Sequence, residues 1–111
     1  MNLVLLHTSL IINYMVQTPE IIRQLKKFKL ESASRYGIKL MGIFGSYARG
    51  QQDENSDLDI FISLNEADFF VLEKIKEELE NMLHIPIDIV NFRSSLRNTL
   101  KQNLLKDAVY I

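Results

Sequence analysis

No cysteine and no tryptophan occur in the 111 residues, and there are only two prolines, four glycines and two histidines. The missing cysteines exclude disulfides, a thiolate nucleophile and every zinc site built on sulfur, so a metal must be held by oxygen or by His7 and His84. Two histidines make a poor transition-metal site, and both read more simply as ordinary helix or strand-edge residues. With 47% hydrophobic and 24% charged residues, the scarcity of glycine and proline excludes collagen-like, low-complexity and disordered chains. A chain of this length buries roughly two thirds of its unfolded surface, enough for one core and one domain.

A membrane-length apolar run is also missing. Met1 to Tyr14 is apolar but short, and His7, Thr8, Ser9 and Asn13 interrupt it. It has no basic leading region and no small-residue cleavage pattern, so it is a poor signal peptide. Met15 directly precedes a well-formed helix start. Residues 1–14 are therefore read as a leader foreign to the native protein, with translation starting at Met15 and a single domain over residues 15–111. The expected location is the cytoplasm, with no membrane contact.

The net charge of −1 hides an asymmetry: residues 1–50 sum to +5 and residues 51–111 to −6. A chain with so little surplus of cations is not a bulk nucleic-acid binder. The basic run Arg23, Lys26, Lys27 and Lys29 is read as a solvated helix face, with steering of an acidic partner as the functional alternative.

Thr18 as N-cap, Pro19 at the first helical position and Gly37 as terminator predict a helix, with Ile21, Ile22, Leu25, Phe28 and Tyr36 on one face. Ile38 to Phe44, bounded by Gly37 and Gly45, predicts a buried strand, in which Gly42 signals close backbone approach. A polar connection with one helical turn at Ser46 to Gly50 leads to a second strand over Asp57 to Ser63. There Asp57, Asp59 and Phe61 alternate with Leu58, Ile60 and Ile62. Asn65 is expected to cap a helix from Glu66 to Leu83 with the stripe Phe69, Leu72, Ile75, Leu79 and Met82; the Phe69/Phe70 pair reads as core or interface filler. His84 to Asn91 predicts a third strand carrying Asp88, Ser94 or Ser95 opens a last helix, and Ala108 to Ile111 closes as a small strand. The fold class is α/β (α+β), with helices on the face that carries the isoleucines.

Three aspartates on otherwise apolar strands are the odd feature, because carboxylates are rarely buried unless paired or bound to metal. Two such charges about 5 Å apart repel by roughly 3 kcal/mol at an effective dielectric near 20. Neither strand supplies a Lys or Arg, and an all-oxygen set with carboxylates at i and i+2 suits Mg²⁺ or Mn²⁺. Upstream, Gly45-Ser46 entering a helical turn offers backbone N–H groups and a hydroxyl to an anion, with Arg49 one turn on. The bland alternatives are two solvated acids on a strand edge, an Asp88 bonded to nearby backbone, and an Arg49 paired with Asp53 or Glu54.

Gly45-Ser46, ten residues, Asp57-Leu58-Asp59 and then Asp88 resemble the signature of the DNA polymerase β-like nucleotidyltransferase superfamily. The short chain and the wording GSYARG, SDLDIFI and IDIV are most similar to the minimal nucleotidyltransferases, whose genes commonly pair with HEPN-domain ribonuclease toxins. The likeness runs from Pro19 to Ile111. It implies a small mixed sheet with helices on one face and the catalytic site on the other. It also implies that Gly45 and Ser46, with Arg49, hold the nucleotide, and that Asp57, Asp59 and Asp88 bind two Mg²⁺ ions, Asp88 completing the catalytic triad. The implied activity is transfer of AMP from ATP to a tyrosine of a HEPN toxin, so that the chain acts as an antitoxin. The alternatives are a non-catalytic antitoxin that neutralises its toxin by binding, or a nucleotidyltransferase with another acceptor. A stand-alone antibiotic nucleotidyltransferase is disfavoured, because those enzymes carry a further C-terminal domain.

Overall fold

The computed structural model describes residues 3–111, with side chains from Gln17 onward. The expectations for His7, for Met15 as first residue and for the leader of residues 1–14 rest on residues outside that side-chain description. Eight elements follow in order: α1 (Leu3–Tyr36), β1 (Ile38–Phe44), α2 (Gly45–Arg49), β2 (Leu58–Leu64), α3 (Phe69–Leu83), β3 (Ile87–Asn91), α4 (Asn98–Lys106) and β4 (Val109–Tyr110). The four strands form one sheet in the order β3-β2-β1-β4. β1 runs antiparallel to β2 and β4, and β2 runs parallel to β3 through the α3 crossover.

The first helix corrects the expected start. Pro19 lies inside α1 instead of opening it. Proline keeps a helical φ, and its interior cost of about 3 kcal/mol is set against the burial of Ile21, Leu25 and Phe28 just beyond it. Thr18 is no cap: its hydroxyl donates to the Tyr47 carbonyl at 3.3 Å and accepts from the Gln52 amide at 3.2 Å. The other end is as expected, with Gly37 at φ +69° releasing the chain into β1. Arg23, Lys26 and Lys27 form a solvated face, whereas Lys29 donates to the Ile111 carbonyl at 2.6 Å.

β1 has the expected bounds, but β2 begins one residue late, so Asp57 ends the preceding loop. α3 begins at Phe69 rather than Glu66. Asp68 caps it, accepting from the N–H groups of Phe70 and Val71, whereas the Asn65 N–H extends the sheet by donating to Gly37 at 2.7 Å. Phe69 and Met82 consequently fall outside the buried stripe of Leu72, Ile75 and Leu79, and Phe70 is exposed as well. His84 is the left-handed C-cap of α3, so β3 starts at Ile87. The last helix starts at Asn98, later than Ser94 or Ser95, and buries Leu104 while Leu100 and Leu105 stay partly exposed.

The main core lies on one face of the sheet: Ile21, Leu25 and Phe28 of α1, and Leu72, Ile75 and Leu79 of α3, pack on Met41, Ile43, Leu58, Ile60, Ile62 and Ile87. Strand alternation sends Gly42, Phe44, Asp59, Phe61 and Asp88 to the opposite face. There Phe61 is fully buried beneath the rings of Phe44, Phe92 and Tyr110, at centroid separations of 6.3, 5.8 and 5.5 Å. Gly42, cross-strand from Phe61, leaves the space this ring needs. A Cβ there would overlap the ring and lie 2.7 Å from the Val109 carbonyl oxygen.

Candidate active site

Register brings the predicted residues to one end of this open face. Asp59 pairs with Asp88 across the parallel β2–β3 ladder and with Phe44 across the antiparallel β1–β2 ladder. The two carboxylates therefore spring from adjacent strands, about 4.8 Å apart in backbone terms, toward the same side. Asp57 is held just ahead of the ladder by two devices. The Leu58 N–H donates to the Pro86 carbonyl at 2.9 Å, and Asp53 folds its loop by accepting from Asn55 N–H at 2.8 Å while its own N–H donates to Ser56 Oγ at 2.9 Å.

The Gly45-Ser46 turn meets the carboxylates directly. Gly45 follows the Asp59 partner Phe44, has φ +73°, and its missing Cβ leaves room for the Asp59 carboxylate. Both the backbone angle and the crowding demand glycine. Gly45 opens α2 and Ser46 follows it, and the leading N–H groups of this helix have no side-chain cap. Tyr47 is buried in the core and its carbonyl accepts from Thr18, so the turn is anchored to α1.

Asp59 is half-buried, and Asp57 and Asp88 are exposed. Burial, and then the charges of Asp88 and Asp57, hold the Asp59 carboxyl above its ordinary range, while the Arg49 charge opposes the rise. Arg49 thus reaches the site electrostatically, yet its ion-pair partner is Asp107 at 2.9 Å, not Asp53 or Glu54. Among the described residues, none of the three aspartates enters an ion pair. Nor does any group of three or more His, Cys, Asp or Glu side chains converge closely enough to hold a metal ion by itself. The structure therefore brings Asp59 and Asp88 together on adjacent strands, with Asp57 and Asp88 exposed. Unpaired oxygen donors on neighbouring strands, one of them with its pKa raised by burial and then by its neighbours' charges, are a chemical fit for a hard divalent cation.

Sequence reasoning missed Asp107, 58 residues from Arg49, and the Thr18–Tyr47–Gln52 contacts that pin α2. Asp53-x-x-Ser56 carried a turn signature that was available to be read. Among the described residues, no helix is long and apolar enough to cross a membrane.

Comparison with known proteins agrees with this geometry. The family described as Polymerase beta, Nucleotidyltransferase matches residues 11–111. Protein adenylyltransferase MntA of Thermococcus cleftensis is 34% identical over 98 residues, covering 87% of this chain and 98% of that protein. A solved chain provisionally described as a minimal nucleotidyltransferase superposes with a TM-score of 0.69 at 30% identity, over 83% of this chain and 94% of that one. A crystal structure of a toxin–antitoxin with AMP-PNP superposes with a TM-score of 0.62 at 25% identity, over 73% of this chain and 67% of that one. The chain is a nucleotidyltransferase of the polymerase beta family, in the branch that includes the small protein adenylyltransferases.

Proposed function

We propose that the chain is the antitoxin of a toxin–antitoxin pair, and that it transfers AMP from ATP to a tyrosine of a HEPN ribonuclease toxin with the help of Mg²⁺. The observation that carries this reading is the Asp59–Asp88 register beside the Gly45-Ser46 turn, which sets a carboxylate row against an anion-binding turn on one open face. Asp57, Asp59 and Asp88 are the residues that would hold two Mg²⁺ ions. When bound, these ions neutralise the triphosphate and lower the pKa of the acceptor hydroxyl.

The other roles belong to the chain itself. Gly45 lets the triphosphate approach the backbone, and the Ser46 N–H and hydroxyl, with Arg49, bind phosphate oxygens. Asp88, at the exposed end of the row, takes the proton of the attacking hydroxyl. That oxygen bonds to the α-phosphorus, the bond to the β-phosphate oxygen breaks, and pyrophosphate leaves. In this reading the acceptor tyrosine is supplied by the second protein of the pair.

Incubation of the purified pair with labelled ATP and Mg²⁺ tests the reading. Label on the toxin with wild type, and none with Asp57→Asn or Asp59→Asn, is the expected result. Variants that transfer no AMP but still rescue toxin-expressing cells would assign neutralisation to binding instead.

A further inference from the structure

Arg49 stands one helical turn after Ser46, and its guanidinium is held from two sides. Nη1 donates to Asp107 Oδ2 at 2.9 Å and Nε donates to Gln51 Oε1 at 3.1 Å. Nη2 has no hydrogen bond among the described residues. Asp107 is the less exposed partner, its side chain 24% accessible against 43% for Arg49. It is also fixed in place: it caps the C-terminus of α4, two residues ahead of Val109, and Val109 pairs with Ile43. α2 grows from the end of β1 while β4 pairs with Gly42 and Ile43 near that same end, so Arg49 and Asp107 meet from two directions of the fold.

We propose that Asp107 is a positioning residue for nucleotide binding, holding Arg49 at the edge of the Gly45-Ser46 turn with Nη2 left for a phosphate oxygen of ATP. This rests on reading the site as a nucleotide site. A free arginine on a five-residue helix would lose rotamer freedom each time a phosphate binds. One already fixed by Asp107 and Gln51 meets that loss during folding, so more of the phosphate contact survives as affinity. The planar fork makes this possible, since two donors can be fixed while a third stays available.

The test uses the intact chain, Mg²⁺ and α,β-methylene ATP, which cannot transfer AMP, with calorimetric titration. Asp107→Asn raises Kd about tenfold, and Asp107→Glu, which restores the carboxylate, stays within about threefold of wild type. Arg49→Ala and the double variant Arg49→Ala, Asp107→Asn bind equally weakly, because Asp107 acts only through Arg49. In labelled-ATP assays, Asp107→Asn raises KM for ATP while kcat stays within about twofold. Unchanged or tighter nucleotide binding by Asp107→Asn overturns the proposal, as do losses that add in the double variant. If wild type binds the analogue but labels no HEPN partner, the proposed function fails while the Asp107 result stands. If wild type binds no nucleotide, both fall.

Discussion

The carboxylate of Asp59 occupies the space that a Cβ on Gly45 would need. The Gly45-Ser46 turn and the carboxylate row are thus packed against each other, and any side chain added at Gly45 must displace Asp59.

Gly45→Ala should show this coupling. The new methyl meets Asp59, and alanine pays for φ +73° with about 1–2 kcal/mol of strain. Stability in urea should fall by about that amount. AMP transfer should fall much further, by about 100-fold or more, because misplacing reacting groups by an ångström is costly. Activity that declined only in step with stability would show that the Gly45-Ser46 turn and the carboxylate row are independent.

Asp59→Asn should separate function from stability in the opposite direction. The folded-state pKa of Asp59 is raised, so its protonated form is favoured by folding and that stabilisation is lost as pH rises through the folded value. Asparagine imitates the protonated form. In metal-free buffer at pH 7 the variant should be more stable than wild type by about 0.5 kcal/mol, a figure discounted for partial exposure. The advantage should vanish near pH 3, and a variant less stable at pH 7 would contradict the electrostatic account.

Tyr36 gives an alkaline limb. Its hydroxyl donates to Glu78 Oε1 at 2.7 Å, joining the end of α1 to α3, and burial first, then Glu78, raises its pKa above 10.0. The stabilisation is complete below pH 10 and is lost as pH climbs through the raised value. Tyr36→Phe should cost about 1 kcal/mol at pH 8. Above pH 10 its stability should decline less steeply than that of wild type, as thermal melts across pH 8 to 11 would reveal.

Gly42→Ala should destabilise by about 1–3 kcal/mol, because the added methyl meets the Phe61 ring and the Val109 carbonyl. A second change, Phe61→Leu, should recover part of that loss by removing the ring. Strict additivity of the two changes in urea titrations would show that they do not share the space.

Much of this arrangement was legible in the residues. Ile38 to Phe44 was found with its observed bounds because glycines punctuate both ends, and alternation put Asp59 opposite Leu58 and Ile60. Helix starts were harder. Thr18 and Asn65 are both good local caps, yet tertiary bonds to Tyr47 and Gly37 use the Thr18 hydroxyl and the Asn65 N–H, and Asp68 caps α3 instead. Phe69 matched a helical stripe only if the helix began before it. The Arg49 partner was hidden for a different reason: Asp107 becomes a neighbour only when β4 closes on β1, and no local pattern encodes that.

The parallel pairing of Asp59 with Asp88 also sets an order of events during synthesis. A ribosome that has released β2 has already made the phosphate turn and two of the aspartates, but the third lies beyond the α3 crossover, and Asp107 lies further still. Parallel strands cannot join until their crossover is complete. A nascent chain halted before β3 therefore lacks the third aspartate, and the carboxylate row is complete only once the α3 crossover and β3 have left the ribosome.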